Sequence, residues 1–457
     1  MSVLARLWTL RERHPLFVAL AVVLLFILLA QPLVERHARQ LEWTIGFTFH
    51  DFGAYSVAVD HWLEGEAIYQ EQEDGSYHGS YLYPPVALLF LYPFSQWFGS
   101  FDAGAAAFGL TQIGLLWLGL QAVISVLGYR LEIYERVLFL GGIVAFQPAL
   151  LDFKIGQIST LLAALLCFAF YAHERGHARK AATGGDEDHH RLARLASGAL
   201  TTMGSTVKLF YATSGAHLLR NRDRFVGAML GGIGLVVLSF AVFGIDAHRG
   251  YLDVLTWGKG WGPGPVTPQI GTVAYYRPLY ELGDWAVPAQ ILGVFVIIGL
   301  TLWTRGAPVS RETFALGVAA IPLLAPRAYT QDLVVLLLPA VILLAVELDR
   351  PSGRPDIPVL AVLLLHFHAY GREAILALPD WLPLAELAVT HLGWLQPGLW
   401  GTLLLVGLAA KRVADGARPA DTSAADRTRE SGAESEAEPD TRGSSEVESA
   451  PRAENEG

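Results

Sequence analysis

Apolar runs recur along this chain from Leu16 to Ala410, broken by short polar or aromatic-rich turns. The pattern predicts helices at 16–34, 104–126, 137–150, 157–173, 196–206, 208–219, 225–244, 288–304, 313–325, 332–347, 357–370 and 389–410. Several are shorter than the roughly 20 residues that a straight bilayer crossing requires. The two on either side of Lys208 read as a broken hairpin, tolerated only where it lines a protein cavity, because unpaired backbone groups are costly in lipid. Pro85–Phe98 is apolar but short, and Tyr92 and Trp97 suit a helix lying on the outer membrane surface. The expected fold is all-α: a polytopic integral membrane protein with about 12 transmembrane helices. Its long first extracytoplasmic loop, from about Glu35 to Ala103, carries the interfacial helices.

Basic residues give the orientation, since cytoplasmic loops are enriched in Lys and Arg. With Arg6, Arg11 and Arg13 inside, the cluster Arg175, Arg179, Lys180, Arg191 and Arg194 is also inside, and the stretch from Gln40 to Gly104 has no Lys or Arg. Both termini are therefore expected in the cytoplasm of a cell-membrane protein. Leu16–Val34 reads as an uncleaved first helix, because it runs into Gln31 and Arg36 without a small-residue cleavage site. Residues 1–15 form a cytoplasmic N-terminus, 16–412 the transmembrane domain, and 413–457 an acidic disordered tail.

Composition sharpens this reading. Hydrophobic residues make up 53% of the chain and charged residues only 17%, against about 25% charged in soluble domains. The formal net charge of -10 is misleading: from Val413 onward twelve acidic residues face five arginines, so the membrane part is near neutral. Nothing points to nucleic acid. The single cysteine, Cys167, excludes an intrachain disulfide and a cysteine-based metal cage. Asp186, Asp188, His189 and His190 resemble a metal cluster but fit better as a solvated stretch of the polar loop 174–195.

The polar residues that interrupt this pattern are the candidates for chemistry. Asp51, among aromatics at the membrane edge, fits either a partly desolvated general base or the cap of a helix beginning near Phe52. Asp60 falls about half a turn off that face, so no carboxylate pair is evident. Lys208 is costly in an apolar stretch unless paired or wetted; it either binds an anion, a lipid phosphate being available at that depth, or snorkels to the interface. Asp152 through Gln157 joins two helices outside, with Gly156 for a tight turn and Gln157 for hydrogen bonds. The aromatic loop Trp257–Trp285, with Tyr276 and Arg277, suits a sugar or a phosphate, or an interfacial belt. Arg327 and Asp332 are both ionisable and fit a simple pair. His366 and His368 read as structural.

Asp51-Phe52 with Tyr55, Gly65 with Tyr69, Tyr83-Pro84-Pro85, Gly156-Gln157, Lys208 after a small-residue helix, and Pro326 through Asp332 stand in an order that resembles the polyprenyl-phosphate-sugar-dependent glycosyltransferases of the GT-C fold, most closely glycosyltransferase family 87. The resemblance covers about residues 15–410. It implies an inverting transfer of a sugar, typically mannose, from a polyprenyl-phosphate donor to an extracytoplasmic glycan or lipid-linked acceptor. In that scheme Asp51 is the catalytic base, and Lys208, with Arg327 and Arg277, holds the donor phosphate. Tyr55, Tyr83, Gln157, Trp257, Tyr276 and Asp332 would contact substrate. No metal or cofactor is implied, because a lipid phosphate is already a good leaving group. Many bacterial relatives carry histidine near the position of Gln331-Asp332, where this chain has none. Two other readings stand beside this one. A transporter or lipid flippase would show two related halves and polar residues at the bilayer midplane, and a non-catalytic scaffold would leave Asp51 and Lys208 unexplained.

Overall fold

The computed structural model describes residues 8–71, 81–177, 187–257, 275–276, 278–325, 328–379, 381–382, 385–386, 391 and 393–416. All belong to one compact unit, Met1–Ala417. Each of the twelve expected segments contains helix, the last of them, 389–410, from Pro397 onward, but not each is a straight crossing. Five helices among the described residues are long and apolar enough to span a membrane, and two bent pairs raise the number to seven. Full spans, broken spans and shorter helices packed among them make up the expected polytopic, all-α fold.

α1 is Pro15–Gln40, and α2, His50–Glu64, lies in the first loop. A 3₁₀ turn at Pro85–Ala87 leads into the short α3, Leu88–Gln96, where a surface helix was expected. α4, Phe101–Val126, starts where Ser100 accepts a hydrogen bond from the Ala103 amide. α5, Ile133–Ala145, opens on a capping box of Glu132 and Glu135 and bends by 64° into α6, Gln147–Ile155. α7 is Ser159–Arg175. α8 is Glu187–Val207, so the expected polar loop is already helical from Glu187.

The broken hairpin is real, with its return arm wound as a 3₁₀ helix over Leu209–Arg220 rather than an α-helix. α9 then runs Arg222–Trp257, non-helical at Gly244, where the sequence predicts an end. α8 and α9 pack closely because small residues face each other: a Cβ on Gly198 would meet the Arg224 carbonyl, and one on Gly227 the Leu195 backbone. After α9 come a two-residue strand β1, Tyr275–Tyr276, and α10, Ala286–Trp303. α11, Ser310–Ala319, is followed by the single-turn α12, Ile321–Leu324. Strand β2, Ala328–Tyr329, pairs antiparallel with β1 and leads through a 3₁₀ segment, Thr330–Leu336, into α13, Leu337–Leu348. α14, Asp356–His366, α15, His368–Leu376, and α16, Pro397–Asp415, complete the described chain.

The helices divide into two classes by environment. Thr330–Leu348 is largely enclosed by protein. On α1, α9 and α10 the apolar side chains point outward, among them Phe26, Leu33, Val237, Leu292 and Phe295. An apolar surface of that extent is incompatible with water and marks the lipid-facing belt. This is a membrane protein.

The turns sort to two ends. At one end the Thr48 and Phe49 amides donate to the Lys154 carbonyl, Lys208 meets Asp332, and the Gly398 amide donates to His368. At the other, Arg13 donates to the Arg350 carbonyl, Arg194 to the Gly176 carbonyl, Arg220 to the Ala307 carbonyl, and Arg412 pairs with Glu347. The start of α1 and the end of α16 thus lie at the same end of the bundle, opposite Asp51 and Lys208.

Candidate active site

The site is assembled at one turn. α6 ends at Gly156, whose φ of +73° belongs to the left-handed region that glycine adopts without strain. A Cβ there would lie 2.6 Å from the Cβ of Phe52. The absence of one lets the 156–159 turn press against the start of α2, which brings Gln157 to Asp51. Asp152 holds the far side of the turn, accepting from the Ser159 and Thr160 amides at the start of α7. Gln112, an amide buried inside apolar α4, donates to the Gln157 carbonyl at 2.9 Å and accepts from the Leu161 amide at 3.0 Å.

Gln157 organises what surrounds it. Its Nε2 donates to Asp51 Oδ2 at 2.6 Å. Its Oε1 accepts from the Tyr55 hydroxyl at 2.5 Å, the Tyr83 hydroxyl at 2.7 Å and the Ile158 amide at 2.9 Å. A flipped amide would put oxygen against a carboxylate and NH₂ against a backbone N–H, so the network fixes its orientation. Burial pushes both phenols above the ordinary tyrosine range, which keeps them protonated and donating. Tyr83 is held in turn by its loop, where Tyr69 donates to the Tyr83 carbonyl and Tyr81 to the Pro84 carbonyl.

Asp51 is not a helix cap. The cap position of α2 belongs to Phe49, and Asp51 lies in the first helical turn with its side chain on Gln157 and, at 3.4 Å, near His50 Nε2. The side chain keeps 27% of its surface exposed. Burial raises its pKa above the ordinary aspartate value, opposed by the charges of His50 and Lys208. A carboxylate with a raised pKa is a better base than a solvated one.

Two residues beyond Gln157, Ser159 donates to Asp332 Oδ1 at 2.8 Å. Lys208 Nζ donates to Ser159 Oγ and to Asp332 Oδ1, both at 2.7 Å. Lys208 and Asp332 form a buried ion pair, with 7% and 1% of their side chains exposed. Asp332 Oδ2 accepts from the Tyr329 amide. Asp332 has Lys208 as its partner; the expected Arg327–Asp332 pairing rests on Arg327, which lies outside the described residues. Arg277 and the side chain of Trp257 also lie outside them. Tyr276 is wholly buried, its hydroxyl donating to Thr402 and its ring edge-on to His368, so its surface is taken up by packing. His366 and His368 accept from the Gln147 and Gly398 amides, in keeping with a structural part.

Asp51, Tyr55, Tyr83, Gln157, Lys208 and Asp332 therefore converge. The sequence reading left out Ser159 and Gln112. The signal for Gln112 was available, since a polar residue within an apolar span is unusual; Ser159 had none beyond its place at a helix start. Among the described residues one trio has metal-ligand spacing, His173, Glu174 and His177, and it lies at the opposite end.

Two solved structures resemble this chain: ArnT from Cupriavidus metallidurans bound to undecaprenyl phosphate, and the same protein in the apo state. The first is 13% identical, covers 87% of this chain and 77% of its own, and superposes with a TM-score of 0.32. The second is 12% identical, covers 88% and 77%, and gives 0.34. Scores this low carry no functional inference. No curated protein matches. The family model for glycosyltransferase family 87 matches residues 81–326, more than half of the 457 residues, and spans Tyr83, Gln157 and Lys208. This chain belongs to glycosyltransferase family 87 and is a membrane glycosyltransferase.

Proposed function

We propose that this protein transfers a sugar from a polyprenyl-phosphate donor to a hydroxyl of a glycan or lipid-linked acceptor, with inversion, and that Asp51 is the base. The donor class rests on the family. Mannose is the sugar that the family resemblance implies. The observation that carries the reading is a continuous path: Asp51 is held by Gln157, and two residues on Ser159 is held to Lys208. A base and a cation thus share one end of the bundle.

The acceptor hydroxyl gives its proton to Asp51 as its oxygen bonds to the anomeric carbon. The carbon–oxygen bond to phosphate breaks from the opposite face, and the electron pair leaves on the polyprenyl phosphate. Lys208 uses two of its three N–H bonds on Ser159 and Asp332, leaving one for a phosphate oxygen. Because Asp332 already balances its charge, Lys208 acts as a directed donor more than as a net positive charge. Arg277 and Arg327 are proposed as further phosphate ligands, and half-buried Tyr83, backed by buried Tyr55, as a wall of the acceptor pocket.

The opposite end carries Arg11, Arg13, Arg175, Arg220, Arg305 and Arg350, which supports placing it in the cytoplasm and Asp51 outside. A transporter reading gains nothing from this arrangement, because the polar network lies at one end of the helices and not at their middle.

The test is reconstitution of the purified protein with labelled polyprenyl-phosphate mannose and a membrane extract as acceptor. Transfer to product is expected for the wild type. Asp51→Asn is expected to lower the rate by about 10²–10⁴-fold with unchanged thermal stability. Wild-type turnover by that variant removes Asp51 as base.

A further inference from the structure

The end of the bundle opposite Asp51 holds a cavity of about 560 Å³ whose charges do not balance. Five arginines line it: Arg220, Arg224, Arg305, Arg311 and Arg350. Three carboxylates face them. Glu174 pairs with Arg311 at 2.7 Å and Glu312 with Arg350 at 3.5 Å; Asp349 is the third. The lining is left with a formal excess of positive charge.

That excess sits on Arg220 and Arg224. Arg220 donates to the Thr304 hydroxyl at 2.9 Å and to the Ala307 carbonyl. Arg224 donates to the His173 carbonyl at 3.3 Å and to the His177 ring at 2.8 Å. Among the described residues neither guanidinium has a carboxylate within ion-pair distance. Arg224 is 1% exposed, and its Nε has no partner. A buried guanidinium without a counter-ion is unfavourable, and arginine cannot shed its proton to escape. Two helix N-termini, those of α9 and α11, open on the same space through Asn221 and Ser310 and add partial positive charge.

We infer that this cavity binds a phosphoryl group, with Arg220 and Arg224 as its principal ligands and the exposed Arg305 at its mouth. Guanidinium groups match phosphate oxygens in paired hydrogen bonds. The cavity lies at the end of the helices, where both lipid headgroups and soluble phosphates have access. His173, Glu174 and His177 bring ligand atoms within 4.8 Å of one another, as a metal site would. A divalent cation there is disfavoured, because Arg224 donates into His177 and Arg311 occupies Glu174.

The experiment uses the full chain in a neutral detergent, titrated calorimetrically with sodium pyrophosphate. A parallel sample in phosphatidylcholine nanodiscs, with and without phosphatidic acid, is analysed for retained lipid by native mass spectrometry. Saturable binding of one of the two probes is expected, weakened at least tenfold in both Arg224→Gln and Arg305→Gln. Pyrophosphate binding without lipid retention identifies a soluble phosphate; retained phosphatidic acid identifies a headgroup. Should Arg224→Gln fail to fold, Arg305→Gln alone decides, since its side chain is exposed. Binding of neither probe, equal binding by the variants, or uptake of zinc lost in His177→Ala without phosphate binding each overturns the inference.

Discussion

The side-chain amide of Gln157 donates to Asp51 Oδ2 at 2.6 Å while its carbonyl oxygen accepts from two tyrosine hydroxyls and a backbone N–H. One residue thereby sets the direction of the carboxylate and the position of both phenols. Asp51 can be aimed at an acceptor only because everything around Gln157 is committed.

Replacing Gln157 by alanine leaves Tyr55 and the Ile158 amide without their acceptor. A buried donor left unpaired costs about 1–3 kcal/mol, so the variant is expected to melt lower and to lose more in kcat than in KM. Steady-state kinetics beside a thermal melt checks this. An unchanged kcat means that Asp51 does not depend on Gln157 for its aim.

The Lys208–Asp332 pair separates structure from function. Removing one partner of a buried pair costs about 3–5 kcal/mol, whereas an apolar replacement of both is often neutral. Lys208→Met is expected to be unstable, and Lys208→Met with Asp332→Leu to recover stability but not donor binding. Donor affinity restored in the double variant rules out phosphate contact by Lys208.

Because burial raises the pKa of Asp51, its base form is lost at a higher pH than an ordinary aspartate would require. The rate is expected to fall on the acid side with an apparent pKa above 3.8. His50→Ala should move that limb to still higher pH, since His50 favours the ionised carboxylate. Stability responds in the opposite sense. The folded state binds this proton more tightly than the unfolded one, so the contribution of Asp51 to stability declines as pH rises from 3.8 through the raised value. A pH–rate profile of wild type and variant measures the first effect, and melts across the same range measure the second.

Gly156→Ala places a Cβ against Phe52 and forces a left-handed conformation on a residue that resists it. The conformational part alone is worth about 1–3 kcal/mol. Activity is expected to fall further than stability explains, because the turn that carries Gln157 must move. Full activity in a destabilised protein shows that the turn can shift without disturbing Asp51.

Much of the fold was legible because hydrophobic patterning is local. Each of the twelve expected segments contains helix, the hairpin breaks at Lys208, and Gly156 turns the chain where the sequence places a turn. What went astray was also local in its cause. Asp51 looked like a cap because it precedes an apolar run, yet the helix begins at His50, two residues before Phe52, and frees the carboxylate. Which helices face lipid was not legible either, because composition reports burial without saying whether lipid or protein does the burying; Thr330–Leu348 is enclosed by protein, while α9 faces outward.

The sequence by itself determined the solvent of this protein, the places of its main helical segments and the end at which its polar breaks fall, since these depend on residues a few positions apart. Only the tertiary structure decided the partners: Lys208 with Asp332 across 124 positions, and Gln157 with Asp51 across 106. Hydrogen bonds and ion pairs form only at contact distance, and contact between distant segments is set by close packing at points such as Gly156 against Phe52. No pattern along the chain encodes that distance, so the charge facing Lys208 could be known only once the helices were assembled.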